Sequence, residues 1–286
     1  DAKPRASSAA PSSAACLDRV PRAEKDRRDR RKGRLVHVVY LLASDAPDES
    51  LDTNGTLDCS MRAQNRWMRE QSGMQWRLDT FKTRVSSPGG GSRVVEAVDV
   101  TFIRTKIPRE ELSDASIVTR ELELRGFKKE RKRYLSFVAG GDDSGVCGDA
   151  WYPFLNNDPN SDGKYAQVYM FAVKECGGHD FGVPGKPSFA ETIAQQEIMH
   201  NDGMVPIGAP HGCGPISLPA HVCTPGLWAS AVVGQDLDPE RFDVMFPFVG
   251  LPLSEKKLDI GRDDYFAHPF PLRDLDESPY LEKARR

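Results

Sequence analysis

The stretch Gln196-Glu197-Ile198-Met199-His200-Asn201-Asp202-Gly203-Met204-Val205-Pro206 decides how the rest of the chain is read. It follows the zinc pattern H-E-x-x-H-x-x-G-x-x-H, with other residues in place of the first and third histidines. In the intact pattern two histidines four residues apart share one helical face and hold Zn²⁺. The glutamate beside the first is the general base, and the glycine turns the chain toward a third ligand. Glu197, His200 and Gly203 keep the base, one ligand and the turn, while Gln196 stands where the first imidazole belongs. An amide oxygen is a poor zinc ligand beside neutral imidazole, so this substitution bears directly on metal binding.

Start and stop signals frame the motif as a helix over 189–202. Ser188-Phe189-Ala190-Glu191 is a capping box, in which serine and glutamate satisfy each other's backbone amides, and Gly203 supplies a left-handed residue just past the end. Phe189, Ile193, Gln196 or Glu197, and His200 recur on one otherwise apolar face. Buried there, Gln196, Glu197 and His200 need polar partners. Those partners are either one another, in a core helix, or a metal ion.

Working outward, the spacing predicts an α/β (α+β) domain with a mixed sheet. Leu35-Val36-His37-Val38-Val39-Tyr40-Leu41-Leu42 is nearly continuous in apolar character and reads as a buried central strand. A helix is expected from Leu57 to Gln71 and further strands over 94–104, 134–139 and 166–173, with a charged helix over 109–131. Residues 1–33 stand apart as an Ala/Ser/Pro stretch followed by the charge run Arg22 to Lys32, and read as a disordered leader before a domain spanning 34–286. No internal repeat is visible.

Composition narrows the function classes. The 286 residues are 39% hydrophobic and 28% charged with a net charge of −3, which suits a globular chain without a nucleic-acid footprint. The longest apolar run, Leu35 to Ala43, is far short of a bilayer span. Six cysteines form no C-x-x-C pair, against a thiolate zinc site. Their even count and wide spacing suit disulfides and an oxidising compartment, although pairing does not follow from sequence. Cys213 with Cys223 and Cys147 with Cys176 would tie down loops beside the motif helix, and six unpaired thiols are the alternative. A first residue other than Met fits a chain that has lost a signal peptide, so secretion is expected.

Two more histidines follow the helix closely, His211 in Ala209-Pro210-His211 and His221 in Ala220-His221-Val222-Cys223. If His221 folds over the helix, His200, His211 and His221 restore a three-histidine set with an open fourth position, Glu197 beside it. If the Cys213–Cys223 loop holds His221 outward, the set stays incomplete. Asp158-Pro159-Asn160-Ser161-Asp162-Gly163 places oxygen donors at positions 1, 3 and 5 with glycine at 6, the spacing of a calcium loop. Tyr169 stands where an EF-hand needs glutamate, so Asp158, Asn160 and Asp162 make at most a simpler calcium site, with an Asx-rich turn as the alternative. Gly89-Gly90-Gly91 and the run 140–145 lack nucleotide-loop or nucleophile-elbow context. His179 and His268 lack local partners.

The order of motif helix, glycine turn, Ala-Pro-His, Gly/Pro loop, Asp243-Val244-Met245-Phe246-Pro247 and Gly261-Arg262-Asp263-Asp264-Tyr265 resembles a family of secreted actinobacterial metzincin-like zinc metalloproteases. The resemblance covers residues 34–268 and is most specific from Cys176 onward. It implies a metzincin-like domain with a Met-turn at Met245 beneath the metal site, and a zinc ligand in Ala-Pro-His in place of the third motif histidine. Gln196 departs from that family's pattern. Three readings follow from the resemblance: a weakly active or inactive metallopeptidase homologue, an active zinc endopeptidase using His200, His211 and His221 with Glu197 as base, or a pseudoprotease that binds a peptide, protein or cell-envelope ligand.

Overall fold

The computed structural model describes residues 16–87, 91–140, 146–151, 163–170, 180–183, 185–206, 208–213, 220–223, 242–247, 251–268 and 274–284. Its centre is a five-stranded mixed sheet in the order β5-β1-β6-β8-β7. Strands β1 (Leu35–Leu42), β5 (Val100–Arg104), β6 (Lys132–Ala139) and β8 (Tyr165–Tyr169) run parallel, and β7 (Gly148–Ala150) closes one edge antiparallel to β8. All eight positions of β1 and of β6 are buried, as parallel strands covered on both faces require. The motif helix α3 (Phe189–Asn201) packs on this sheet against β7 and β8, α1 (Thr56–Ser72) packs beside α3, and α2 (Ala115–Leu124) joins β5 to β6. The pairs β2 (Met74–Trp76) with β9 (Leu281–Lys283) and β3 (Thr80–Ser87) with β4 (Gly91–Val98) form two small antiparallel ladders.

The fold is thus α/β with a mixed sheet, and β1, α1, β6, β8 and α3 fall where periodicity puts them, within about two residues at most ends. Residues 171–173 of the strand expected over 166–173 lie outside the described residues. Two expectations fail for identifiable reasons. The strand expected over 94–104 is broken at Asp99, a buried carboxylate whose amide donates to Asp79 O (2.9 Å) and whose side chain pairs with Arg27. One half turns back as β4 to pair with β3, and the other joins the central sheet as β5. The charged helix expected over 109–131 is shorter, a 3-10 turn Arg109–Ser113 followed by α2, because Asp114 caps α2 by accepting the Ser116 amide at 2.8 Å.

The charge run does not form a solvated leader over the residues described. Residues 16–33 lie along the domain as a strap, so the ordered unit begins no later than Cys16. Cys16 is disulfide-bonded to Cys59 on α1, and Leu17 and Val20 are buried with Phe81 and Ala97. Several of the strap's charges are paired with the domain: Arg22 with Asp48 (2.7 Å) and Asp52 (2.8 Å), Arg27 with Asp99, and Arg31 with Glu282. Arg22 and Arg27 also stack on Phe102 and Phe81, 3.8 and 3.9 Å from the ring centres.

Beneath the strap, Lys132 at the start of β6 lies buried among three carboxylates, 2.7 Å from Asp26 and Asp29 and bonded to Asp79. His37 completes the cluster with its Nδ1 2.9 Å from Asp79 and its Nε2 3.0 Å from the Thr101 hydroxyl. Burial pushes the Asp79 and Asp26 carboxyls up, but His37 and the lysines more than offset this and hold both below their usual range. Their contribution to stability is therefore complete above about pH 4 and is lost as the pH falls through their lowered native values. Lys132→Ala, which strands these carboxylates, should cost about 3–5 kcal/mol in urea unfolding at pH 7. The deficit should shrink as the pH drops below 4, and an unchanged midpoint would show that the cluster does not hold the strap.

Candidate functional site

Every residue of α3 from Ala190 to Asn201 is buried. Glu191 reaches back to the Ser188 amide (2.7 Å) and also accepts the Gly182 amide (2.8 Å), while Ser188 Oγ donates to Asp180 at 2.7 Å. Gly203, at φ +69, ends the helix in the left-handed region as its position in the motif requires. A helix buried on all sides leaves its polar side chains only protein partners, and the partners differ by face.

Gln195 belongs to the packing against α1. Its Oε1 accepts from Trp76 Nε1 at 2.9 Å and its amide nitrogen lies 3.2 Å from Met68 Sδ. Gln196, in the position of the first motif histidine, donates from Nε2 to the Phe246 carbonyl at 3.3 Å. Its amide is thus bonded to the turn that carries Met245. That turn is shaped by Asp243, whose carboxylate accepts the Met245 amide (2.7 Å), the Ile260 amide (3.1 Å) and the Tyr265 hydroxyl (2.7 Å). Burial pushes the Asp243 carboxyl up to about 7, against the bonds from Tyr265 and Met245. Met245 itself is fully buried, and its carbonyl accepts the Val222 amide at 3.1 Å.

Glu197 lies against the antiparallel edge strand. A Cβ on Gly148 would sit 2.7 Å from its Cγ and Oε1, so β7 approaches this close only because residue 148 is glycine. Burial, with Asp149 adding like charge, pushes the Glu197 carboxyl well above its ordinary value. His200 is pushed well below its ordinary value, first by burial and then by His221. Both groups are driven toward their neutral forms.

His221 folds in over the helix. Its ring meets that of His200 edge-on with centroids 4.7 Å apart. The Cys213–Cys223 disulfide promotes this placement: it closes a short antiparallel neck in which the Cys213 amide donates to His221 O (2.8 Å) and the Cys223 amide to His211 O (2.7 Å). Val222, bonded to Met245, then fixes the neck against the turn. His211 is held by the loop 259–266. Its Nδ1 lies 3.2 Å from Asp264 and 3.6 Å from Asp263, and its amide donates to Asp264 at 2.7 Å. Asp264 is delivered by the loop 259–266, which folds around the Asp259 carboxylate through the amides of Asp263 (3.3 Å), Asp264 (3.2 Å) and Tyr265 (2.8 Å).

Among the described residues, His211 with Asp263 and Asp264 is a group whose ligand atoms lie within 4.8 Å of one another and could hold a metal ion. His200, His211 and His221 do not form such a group, so two of the three expected ligands come together and the third is drawn to the aspartates. Two imidazoles fall one short of the three protein ligands that hold a catalytic zinc, and Gln196 is turned to a carbonyl. The donor set does not fit a three-ligand zinc centre in this arrangement. The second group, Asp26, His37, Asp79 and Asp99, already encloses the ammonium of Lys132. Asp158, Asn160, Asp162, His179 and Cys176 lie outside the described residues. Asp149, Asp243 and Asp264 were not predicted as site residues; Asp149 lies 48 residues before Glu197, and Asp243 and Asp264 lie in two segments that the resemblance alone had singled out.

No family model and no curated protein matches the chain. Among solved structures, it is similar to the crystal structure of wild-type OgpA from Akkermansia muciniphila, at 17% sequence identity and a TM-score of 0.25, over 68% of this chain and 53% of that one. The chain thus spans about half the length of that protein, and so low a TM-score carries no argument about activity. Two disulfides, Cys16–Cys59 and Cys213–Cys223, are formed among the described residues, and no helix there is long and apolar enough to cross a membrane.

The Glu197 environment makes a signed prediction. A carboxyl raised in the folded state keeps its proton while the unfolded chain loses it above about pH 4.3, so stability falls as the pH rises past that value. In Glu197→Gln that decline, followed by thermal unfolding between pH 5 and 8, should flatten. An unaltered slope would mean that Glu197 is ionised in the native protein.

Proposed function

We propose that this chain is a secreted, metzincin-like metallopeptidase homologue whose zinc site has degraded, kept as a binding module for an extended peptide, with weak hydrolysis at most. The observation that carries this reading is the fate of the motif position itself: Gln196, where the first imidazole belongs, bonds the Phe246 carbonyl of the turn, and Glu197 is buried against β7. The disulfides support an extracellular setting, because such bonds persist in oxidising compartments.

The edge strand supports a peptide ligand. Among the described residues β7 has a partner on one side only, and Val146 and Trp151, on either side of it, are 44% and 70% exposed. An extended peptide can add to such an edge through main-chain hydrogen bonds, with Trp151 as an apolar anchor. The neighbouring Gly148 and Glu197 would place that peptide beside the motif helix.

A second reading, zinc endopeptidase activity through His200, His211 and His221, is favoured by one observation, the 4.7 Å approach of His221 to His200. It requires His211 Nε2 to join the other two imidazoles while its Nδ1 stays on Asp264, as a carboxylate commonly supports a ligating histidine.

The readings separate on a peptide library presented to the unmodified protein. The binding module retains extended peptides, loses them in Trp151→Ala and cleaves none. Robust cleavage that is abolished by a chelator and absent from Glu197→Gln would overturn the proposal. A third measurement probes the helix face. Gln196→His restores the i, i+4 imidazole pair and should raise zinc affinity by about a hundredfold, the share of one ligand in the roughly 12 kcal/mol of a four-ligand structural site. Calorimetric titration giving equal affinity for variant and parent would show that positions 196 and 200 do not share a ligand-bearing face.

A further inference from the structure

The strap sorts its charges by direction. Arg27, Asp29 and Arg31 turn to the domain, where they meet Asp99, Lys132 (2.7 Å) and Glu282. Arg28, Arg30 and Lys32, which alternate with them, are exposed, and their side chains have no partner among the described residues. Lys25 is exposed and unpartnered in the same way. Alternate residues of an extended segment point to opposite sides, and those on one side start at most about 7 Å apart along the backbone. The outward side is therefore a single file of cations.

Neighbouring acids do not cancel this file. Within residues 24–32, Asp26 and Asp29 are taken by Lys129 and Lys132, which leaves Glu24 as the exposed carboxylate against four cations. From adjoining segments, Glu130 is 3.2 Å from Lys164, and Glu282 bonds Arg31. The whole chain has a net charge of −3, so the cationic file runs against the sign of the molecule. Outward positions that serve solubility alone carry mixed signs. Positions 28, 30 and 32 carry one sign. The file is also held before any partner arrives, because the inward ion pairs and the Cys16–Cys59 bond fix its backbone. A free basic tail would lose that freedom on binding; here it is lost on folding.

We propose that the outward face of the strap binds a linear anionic polysaccharide, with its acid groups aligned along Arg28, Arg30 and Lys32. A polymer with an acid on each sugar or disaccharide spaces its charges on the scale of alternating residues. Other polyanions fit less well. Single-stranded nucleic acid is held by aromatic platforms for its bases, and the strap's aromatic neighbours Phe81 and Phe102 are buried beneath Arg27 and Arg22. Stable membrane anchoring adds an inserted apolar group or lipid chain to a basic patch, and the strap exposes no large apolar side chain. Duplex DNA, with one charge per about 1.7 Å, would repel the acidic remainder of the chain. The extracellular setting proposed above is where such polysaccharides are met, but binding by the strap does not depend on the peptide reading.

The test is calorimetric titration of the full chain with dextran sulfate and with polygalacturonate, against neutral dextran, at several salt concentrations. Saturable binding of an anionic polymer is expected and none of dextran. Log K should fall against log salt with a slope of about −2, from roughly 0.7 per cation on a single-stranded polyanion. Arg28→Gln/Arg30→Gln/Lys32→Gln should weaken binding roughly tenfold or more, and each single substitution about two- to threefold, which keeps the result readable if the triple variant folds poorly. Lys106→Gln/Arg120→Gln/Lys257→Gln removes equal charge from exposed positions outside the strap and should change binding less than about twofold. Equal losses in the two triple variants would reduce the effect to net charge and overturn the proposal. So would an absence of saturable binding to either polymer, or tighter binding of phosphatidylglycerol vesicles or of a single-stranded oligonucleotide than of both polymers.

Discussion

The structure depends on the complete burial of α3. Thirteen residues, Phe189–Asn201, carry two glutamines, two glutamates, a threonine, a histidine and an asparagine into the interior, and a buried polar group without a partner costs on the order of 1–3 kcal/mol. Each surrounding segment answers to that demand. Trp76 and Met68 take Gln195, the 243–246 turn takes Gln196, and the Gly182 and Ser188 amides take Glu191. Glu197 and His200 are instead driven toward neutrality. In a working zinc helix the ion itself satisfies part of this face. Here Gln196 draws on a backbone carbonyl, so the helix is held by the protein.

The start of β6 is held by charge. The Lys132 ammonium and the acids around it join the strap to β6 and to the segment after β2, while Arg22, Arg27 and Arg31 fasten the strap to the rest of the domain. A segment with so few apolar side chains cannot be held by hydrophobic burial. It is held by paired charges and one disulfide, and its stability should accordingly be sensitive to acid, with burial opposing and the lysines and His37 favouring the ionised carboxylates.

What was legible in the sequence was local. The caps of α3, the apolar run of β1 and the short Cys213–Cys223 spacing are signals carried by residues near one another, and all three are realised. What escaped depends on distant partners. Asp26 and Lys132 are 106 positions apart, and a charge run looks the same whether water or a buried lysine receives it. His211 and Asp264 are 53 apart, so nothing near Ala209-Pro210-His211 shows that an aspartate holds that ring. Asp99 reads as a tolerable polar residue within a strand until Arg27 arrives from the strap.

The central proposal is that Gln196 is committed to the Phe246 carbonyl and that α3 holds no catalytic zinc. Native mass spectrometry of the full chain, purified without added metal and then equilibrated with one equivalent of Zn²⁺, tests it most directly. The account predicts a species at the mass of the protein alone before addition, and afterwards zinc that is lost to a mild chelator and is unaffected by His200→Ala. A tightly held ion at one per chain, present on purification and lost in His200→Ala, would contradict it.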